Sequence, residues 1–433
     1  MYKLENKSKL YTLFIILMPL LNQYRFLGMS FMDVFNIFVF VFAMFKENWR
    51  IRINIAFLPY TIYALLVMVF SMLQLPVYSP ILMLKNVASF GFLAFNLFIA
   101  GRDYFDINKG YYYYGVIVKL CCAVAIVEFL VNLLISYRPV LVFPMLTLNY
   151  GGGMKGAELI SLLKHSYSNY RASAFFLEPA YLSEFCLPYL FLSLFNSEEK
   201  YDTKKIIEAL FITLSIVLTT STLGILGCVI AWLIYTIKIL WTSKRRKLIL
   251  LIPVIIVAGY YMYSLDAVQN QLSSKIYSAQ NLTMSTSLSL RLTRGWYCFN
   301  ALDEIRKLIG MGYGCVSAFI TEHHITTIID REGIVNSYMN GISLMLCSLG
   351  IIGTLIYIIP FIGMILKNRN TYYLGVLWIV LMLTSQSFDT AIYVIMFAFI
   401  VNISNCDENF SIKCIDSNKE IVSSSLSEWR YNR

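Results

Sequence analysis

Apolar residues in this chain come in blocks. Most blocks are wide enough to cross a hydrocarbon layer of ~30 Å at about 20 residues per helix, and they recur along nearly the whole sequence. With 58% hydrophobic and 14% charged residues over 433 positions, against about 25% charged in a soluble domain, the chain holds more apolar surface than a water-soluble protein of this size can hide. A soluble enzyme and a disordered or fibrous chain are both excluded. A membrane β-barrel would show alternating segments of about 10 residues, and these are absent. The sequence therefore predicts an all-α fold, a polytopic transmembrane helical bundle.

Candidate spans fall at 10–25, 28–45, 54–75, 80–100, 111–136, 174–195, 206–222, 223–241, 248–264, 338–366, 371–386 and 388–404, about twelve in all. The first follows Lys3, Lys7 and Lys9 and imitates a signal peptide, but no small-residue cleavage site follows it. The spans make one transmembrane domain over 1–404, followed by a polar, Ser/Asn-rich tail, 405–433, which reads as a disordered cytoplasmic end. There is no internal repeat of the kind found in secondary transporters.

The net charge is +10. In a soluble chain such an excess would suggest nucleic acid; here the enrichment of Lys and Arg in cytoplasmic segments accounts for it, and no nucleic-acid partner is expected. An N-terminus inside the cell puts most of the basic residues in short inner segments, including the run Lys244-Arg245-Arg246-Lys247. Two long loops, about 137–173 and 265–337, then lie on the extracytoplasmic side. Six of the nine cysteines fall in or beside apolar spans, none at metal-ligand spacing. Cys298 and Cys315 share the second loop and could pair in an oxidising compartment, although free, half-buried thiols suit them better.

The outer loops hold what the spans lack. His165, His323 and His324 are there, as are Arg138, Lys155, Lys164 and Arg171 in the first loop and Lys275, Arg291, Arg294, Arg306, Lys307 and Arg331 in the second. Loops this long exceed what connection requires. Cationic loops at a membrane rim suit an anionic ligand such as a lipid pyrophosphate, which guanidinium groups grip in a bidentate manner while offsetting charge on a leaving oxygen. The plainer alternative is that the charges only solvate the loops.

Two patterns sharpen the choice. In Arg171 to Phe185, Glu178 precedes Pro179, which biases Glu178 away from helical geometry and makes Pro179 a good first helical residue. A helix from Pro179 to Phe195 would carry Glu178 at its outer end and leave 174–177 irregular at membrane depth, tolerable only inside protein. Arg171 could fold back toward Glu178. In Ser289 to Gly314, the residues Leu288, Leu292, Gly295, Phe299 and Leu302 share a helical face, with Arg291 and Arg294 on another. That pattern reads as an amphipathic helix on the membrane, ending in a flexible turn at Gly310, Gly312 and Gly314. No strand precedes the glycines, so a dinucleotide-binding reading fails. Further on, Asn336-Ser337-Tyr338 opens a span containing Gly350 and Gly353, and Ser221 to Gly224 forms a turn between two spans.

In this order, the Arg171/Glu178-Pro179 pair, the Ser221–Gly224 turn, the Arg291/Arg294 segment ending at Gly310 and Gly312, and Asn336 to Tyr338 with its following Gly350 helix resemble the O-antigen polymerase and ligase superfamily, the Wzy-type polymerases in particular. The resemblance covers about 165–360. It implies a GT-C-like bundle of about a dozen helices in the bacterial cytoplasmic membrane that moves glycans carried on undecaprenyl pyrophosphate. A polymerase transfers the growing chain from its lipid to a new lipid-linked repeat unit at the outer face, without metal, cofactor or nucleotide sugar. Arg171, Arg291 and Arg294 would hold pyrophosphate, and Tyr170, Ser221, Asn336 and Tyr338 would line the substrate. Glu178 would orient Arg171 or act as base, and His323 and His324 are the other candidate bases. Membrane lipid is an expected neighbour, and a chain-length regulator enters by analogy alone. Ligases of the superfamily often carry a His directly before that Asn; Val335 stands there instead. A flippase for the same lipid-linked glycan is the rival of another class, and Asp33, Lys85, Lys119, Glu128, Glu184, Glu208 and Asp389, in or near spans, keep it open.

Overall fold

A computed structural model describes residues 2–26, 29–46, 54–100, 104–149, 154–164, 170–195, 203–242, 290–325 and 338–406. The span expected at 248–264, His165, Asn336 and most of the polar tail lie outside these residues.

The chain is mostly helical. In order come α1 (Tyr2–Leu21), β1 (Tyr24–Phe26), β2 (Met29–Ser30), α2 (Phe31–Lys46), α3 (Leu58–Gln74), α4 (Pro80–Ala100), α5 (Ile107–Ile135), β3 (Thr147–Leu148), α6 (Gly156–Lys164), α7 (Pro179–Phe195), α8 (Thr203–Leu218) and α9 (Thr222–Thr242). After the second long loop begins, α10 (Gly295–Asn300), α11 (Glu304–Ile309), α12 (Val316–Glu322), α13 (Gly341–Lys367), α14 (Tyr372–Thr384) and α15 (Ala391–Ser404) follow. Among the described residues, five helical stretches are long and apolar enough to cross a membrane: Ile55–Gln74, Pro80–Ala100, Ile107–Ile135, Thr222–Ile239 and Gly341–Lys367. Shorter apolar helices include Pro179–Phe195 and Ala391–Ser404. Helices satisfy every backbone group within one segment, which lipid demands.

Burial sorts these helices into two classes. In α15 every side chain except that of Asn402 is buried, and α7 is buried without interruption from Leu182 to Phe195. Helices apolar all round belong in the middle of a large bundle. By contrast, Leu66 and Leu73 of α3, Ile81 and Leu84 of α4, and Leu120 and Leu134 of α5 are exposed. An apolar outer face of that kind fits hydrocarbon rather than water. Local signals start and stop the helices. Asp106 caps α5 by accepting from Asn108 N and Lys109 N, and Ser136 ends it in a left-handed turn.

Between α1 and α2 the chain departs from the sequence expectation. The first span stops at Leu21, and the next residues form the central strand of a small antiparallel sheet, ordered β2-β1-β3. The third strand comes from the first long loop. That loop also brings Val142, Leu148 and Leu159 into an apolar cluster with Tyr24 and Leu177. Part of the loop is thus a packed cover over one end of the bundle.

The second loop is also built differently from the expected single amphipathic helix. A π-helical turn, Leu290–Arg294, leads into α10, and Asp303 caps a separate helix, α11, by accepting from Arg306 N. Arg294 is only 2% exposed, so it faces protein rather than lipid headgroups. The glycine run is docked rather than flexible. Met311 N donates to Cys347 O at 2.8 Å and Gly312 N to Ser348 O at 2.9 Å. At Gly350 the backbone of α13 leaves helical geometry (φ 65°, ψ −174°). A Cβ on Gly350 would meet Leu308 O at 2.2 Å, and one on Gly310 (φ 89°) would meet Ser348 O at 2.4 Å. Two glycines in the left-handed region let two backbones touch. Cys298 and Cys315 are not bridged to each other, and both are fully buried.

Gly310→Ala and Gly350→Ala should each destabilise the folded protein by about 2 kcal/mol or more, through backbone clash and positive φ together. Gly314 also has positive φ, but open space surrounds its Cβ position. Gly314→Ala should cost less, about 1–2 kcal/mol, from positive φ alone. Thermal unfolding of the three detergent-solubilised variants checks the order.

Candidate functional site

Arg171 lies on irregular backbone between the first loop and α7, where helical bonding cannot satisfy the chain. Side chains from other helices do so instead. Glu128 of α5, 3% exposed, accepts from Ser173 N at 3.1 Å and Ala174 N at 2.8 Å through one oxygen. Gln23, just after α1, accepts from Leu177 N and donates to Phe175 O. Phe176 N bonds back to Ser173 O. Ala174 is held at φ 48°, a conformation a residue with a Cβ adopts only when its surroundings impose it. Tyr170 donates its hydroxyl to Pro139 O, which ties the start of the segment to the first loop.

This frame aims Arg171 at the turn between α8 and α9. Its Nε–H donates to Thr219 O at 3.0 Å and Thr220 Oγ1 at 2.9 Å. Thr220 is itself left-handed (φ 50°). Thr219 Oγ1 lies 2.9 Å from Ser183 Oγ of α7, and Gly224 leaves room for that serine. Ser221 is buried and its hydroxyl accepts from Gly224 N, so it caps α9; Thr220 is the turn residue that reaches the arginine.

Arg291 arrives from the other long loop. Its Nε–H donates to the Tyr338 hydroxyl at 3.2 Å, its Nη1 to Thr384 O at 3.4 Å, and its guanidinium lies 5.5 Å from the Tyr338 ring centroid. Asn340 N donates to Arg291 O and Gly341 N to Ser385 O, which fixes the segment to the start of α13 and the end of α14. The two loops therefore deliver their arginines to one end of the bundle. Burial lowers the pKa of the Arg171 guanidinium, Glu178 raises it, and Arg291 lowers it further. Arg171, Glu178 and Arg291 thus share one electrostatic neighbourhood. Arg171 is not held by Glu178, however: the threonine turn holds it.

Glu184, in the second turn of α7, joins this group. It is within electrostatic reach of Arg291 and Glu178, and the Ser385 hydroxyl faces its carboxylate. It borders a cavity of about 120 Å³ with a mixed wall, to which Asn22, Gln23, Asn149 and Thr390 bring polar groups and Phe176, Leu177 and Ile392 apolar ones. Phe175 lines a second, apolar cavity of about 580 Å³ together with Leu20, Tyr24, Phe35, Val142 and Phe143.

The remaining candidates fall elsewhere. His323 and His324 are exposed at the end of α12, with the His323 ring tilted against that of Phe319. Among the described contacts, neither histidine touches Arg171 or Arg291. Arg306, from the same loop, donates to Ser71 and Gln74 at the end of α3 and lies against Phe70 and Phe319, a structural tie. Sequence reasoning passed over Gln23, Thr220 and Ser385. Glu128 had a signal, a carboxylate in an apolar span, but it pointed equally to transport.

Glu128→Ala should strand two buried N–H groups, at about 1–3 kcal/mol each, and lower the thermal stability of the purified protein by several degrees. Glu128→Gln keeps an acceptor and should lose less than half as much. Equal loss in the two variants would show that the backbone bonds are not what the carboxylate supplies.

The chain matches no family model and no curated protein.

Proposed function

We propose that this protein polymerises oligosaccharide repeat units carried on undecaprenyl pyrophosphate, at the extracytoplasmic face of the bacterial cytoplasmic membrane. The observation that carries the reading is the convergence of Arg171 and Arg291, from two loops far apart in sequence, near a pair of carboxylates. Two partly buried guanidinium groups repel each other unless an anion sits with them. A diphosphate supplies that anion and accepts several charge-assisted hydrogen bonds. Each arginine uses its Nε–H on the protein. The guanidinium planes are fixed in this way, which favours preorganised stabilisation of a leaving diphosphate. The neighbouring apolar cavity is suited to the first isoprenoid units of the carrier.

Transfer then proceeds by proximity and charge. The donor glycan's anomeric carbon is presented to an acceptor hydroxyl while the arginines offset charge on the departing diphosphate. The flippase reading is weaker because the charged residues within spans are largely committed to the protein. Lys119 pairs with Glu208 at 3.2 Å, Ser89 donates to Asp33, and Glu128 binds backbone.

Arg171→Lys and Arg291→Lys keep the charge but lose the fork, so each should reduce chain elongation about 100-fold at normal protein abundance. Polysaccharide ladders from cells carrying each variant give the readout, with single repeat units still displayed outside. Wild-type ladders in both variants would remove the arginines from the mechanism. Repeat units trapped inside the cell would favour a flippase.

A further inference from the structure

Glu184 is a titratable group that the arginine pair does not explain. A carboxylate 7% exposed within an apolar helix is costly and persists where pairing or function compensates. Its cavity has room for several water-sized groups, since one needs only about 10–15 Å³. Part of the wall lacks partners. Thr390 Oγ1 is buried with no hydrogen-bond partner among the described residues. A buried hydroxyl without a partner marks a place where a polar ligand completes the bonding. A sugar edge presents hydroxyls that both donate and accept.

We propose that this cavity receives the hydroxyl-bearing edge of the acceptor sugar and that Glu184 is the general base of the transfer, an inference that rests on the polymerase reading. The Glu184 carboxylate takes the proton of the acceptor hydroxyl. The acceptor oxygen forms a bond to the anomeric carbon of the donor, and the bond from that carbon to the phosphate oxygen breaks. Its electron pair leaves on the diphosphate held by Arg171 and Arg291, and the proton on Glu184 passes to solvent as the product departs. Arg291, within electrostatic reach of Glu184, joins the base to the leaving-group site. The histidines are not needed for this step.

The test uses the full chain in lipid nanodiscs with lipid-linked repeat units as donor and acceptor. Glu184→Gln should lower kcat by about 100-fold or more while acceptor KM stays within about twofold. Glu184→Ala should regain part of its turnover when formate is added. Thr390→Val should raise acceptor KM about fivefold, the loss of one hydrogen bond. Near-normal kcat in folded Glu184→Gln overturns the base assignment, as does a folded Glu184→Ala that formate does not help. An unchanged KM in Thr390→Val overturns the cavity assignment and decides the matter if the Glu184 variants fail to fold. Binding of free repeat-unit oligosaccharide to wild type and Thr390→Val is measured separately. If wild type elongates nothing, the polymerase reading falls, while loss of oligosaccharide binding in Thr390→Val still supports a saccharide site and equal binding removes it.

Discussion

Backbone that leaves helical geometry inside an apolar bundle has to find its hydrogen bonds elsewhere, and this requirement shapes the Arg171–Glu178 segment. Its N–H and C=O groups are answered by Glu128 from α5 and Gln23 from the end of α1. Without such partners each buried group would cost enough to make the segment helical or expel it to the surface. The same carboxylate and amide hold Ala174 in its left-handed conformation and so set the direction in which Arg171 leaves the chain. The site is thus a by-product of how a short non-helical stretch is made tolerable.

A second consequence concerns charge. The bundle gathers two guanidinium groups and two carboxylates at one end, where burial strengthens every electrostatic interaction. Arg171 bonds to the threonine turn and Arg291 to Tyr338 and Thr384, so neither cation is neutralised by a direct ion pair among the described contacts. Arginine–carboxylate pairing would have filled the forks. Holding them by neutral oxygens leaves their charge available to a ligand, and the carboxylates nearby temper the repulsion without occupying the donors.

The membrane class was legible because apolar block length is a one-dimensional property. The break at Pro179 was legible because proline acts locally: α7 begins there. Contacts that depend on another segment were not. Arg171 to Glu178 read as a natural ion pair from their separation, yet the partner is Thr220, forty-nine positions away. The Ser289–Gly314 stretch has helical periodicity, but Asp303 offers a better start for a new helix than a continuation, and α11 begins after it. Gly310 and Gly312 looked like a mobile turn because a glycine's openness and a glycine's closeness to another backbone have the same spelling. Gln23 carried no signal, since one amide after an apolar block is commonplace.

The docking of Gly310 against Gly350 has a mechanical outcome. The segment carrying Arg291 is joined to α13 at its start through Asn340 and at its break through Met311 and Gly312. Arg171, by contrast, is referenced to α1, α5 and the α8–α9 turn. The two cations are therefore anchored on different helices of one continuous core, so the spacing of their guanidiniums is set by how those helices pack together.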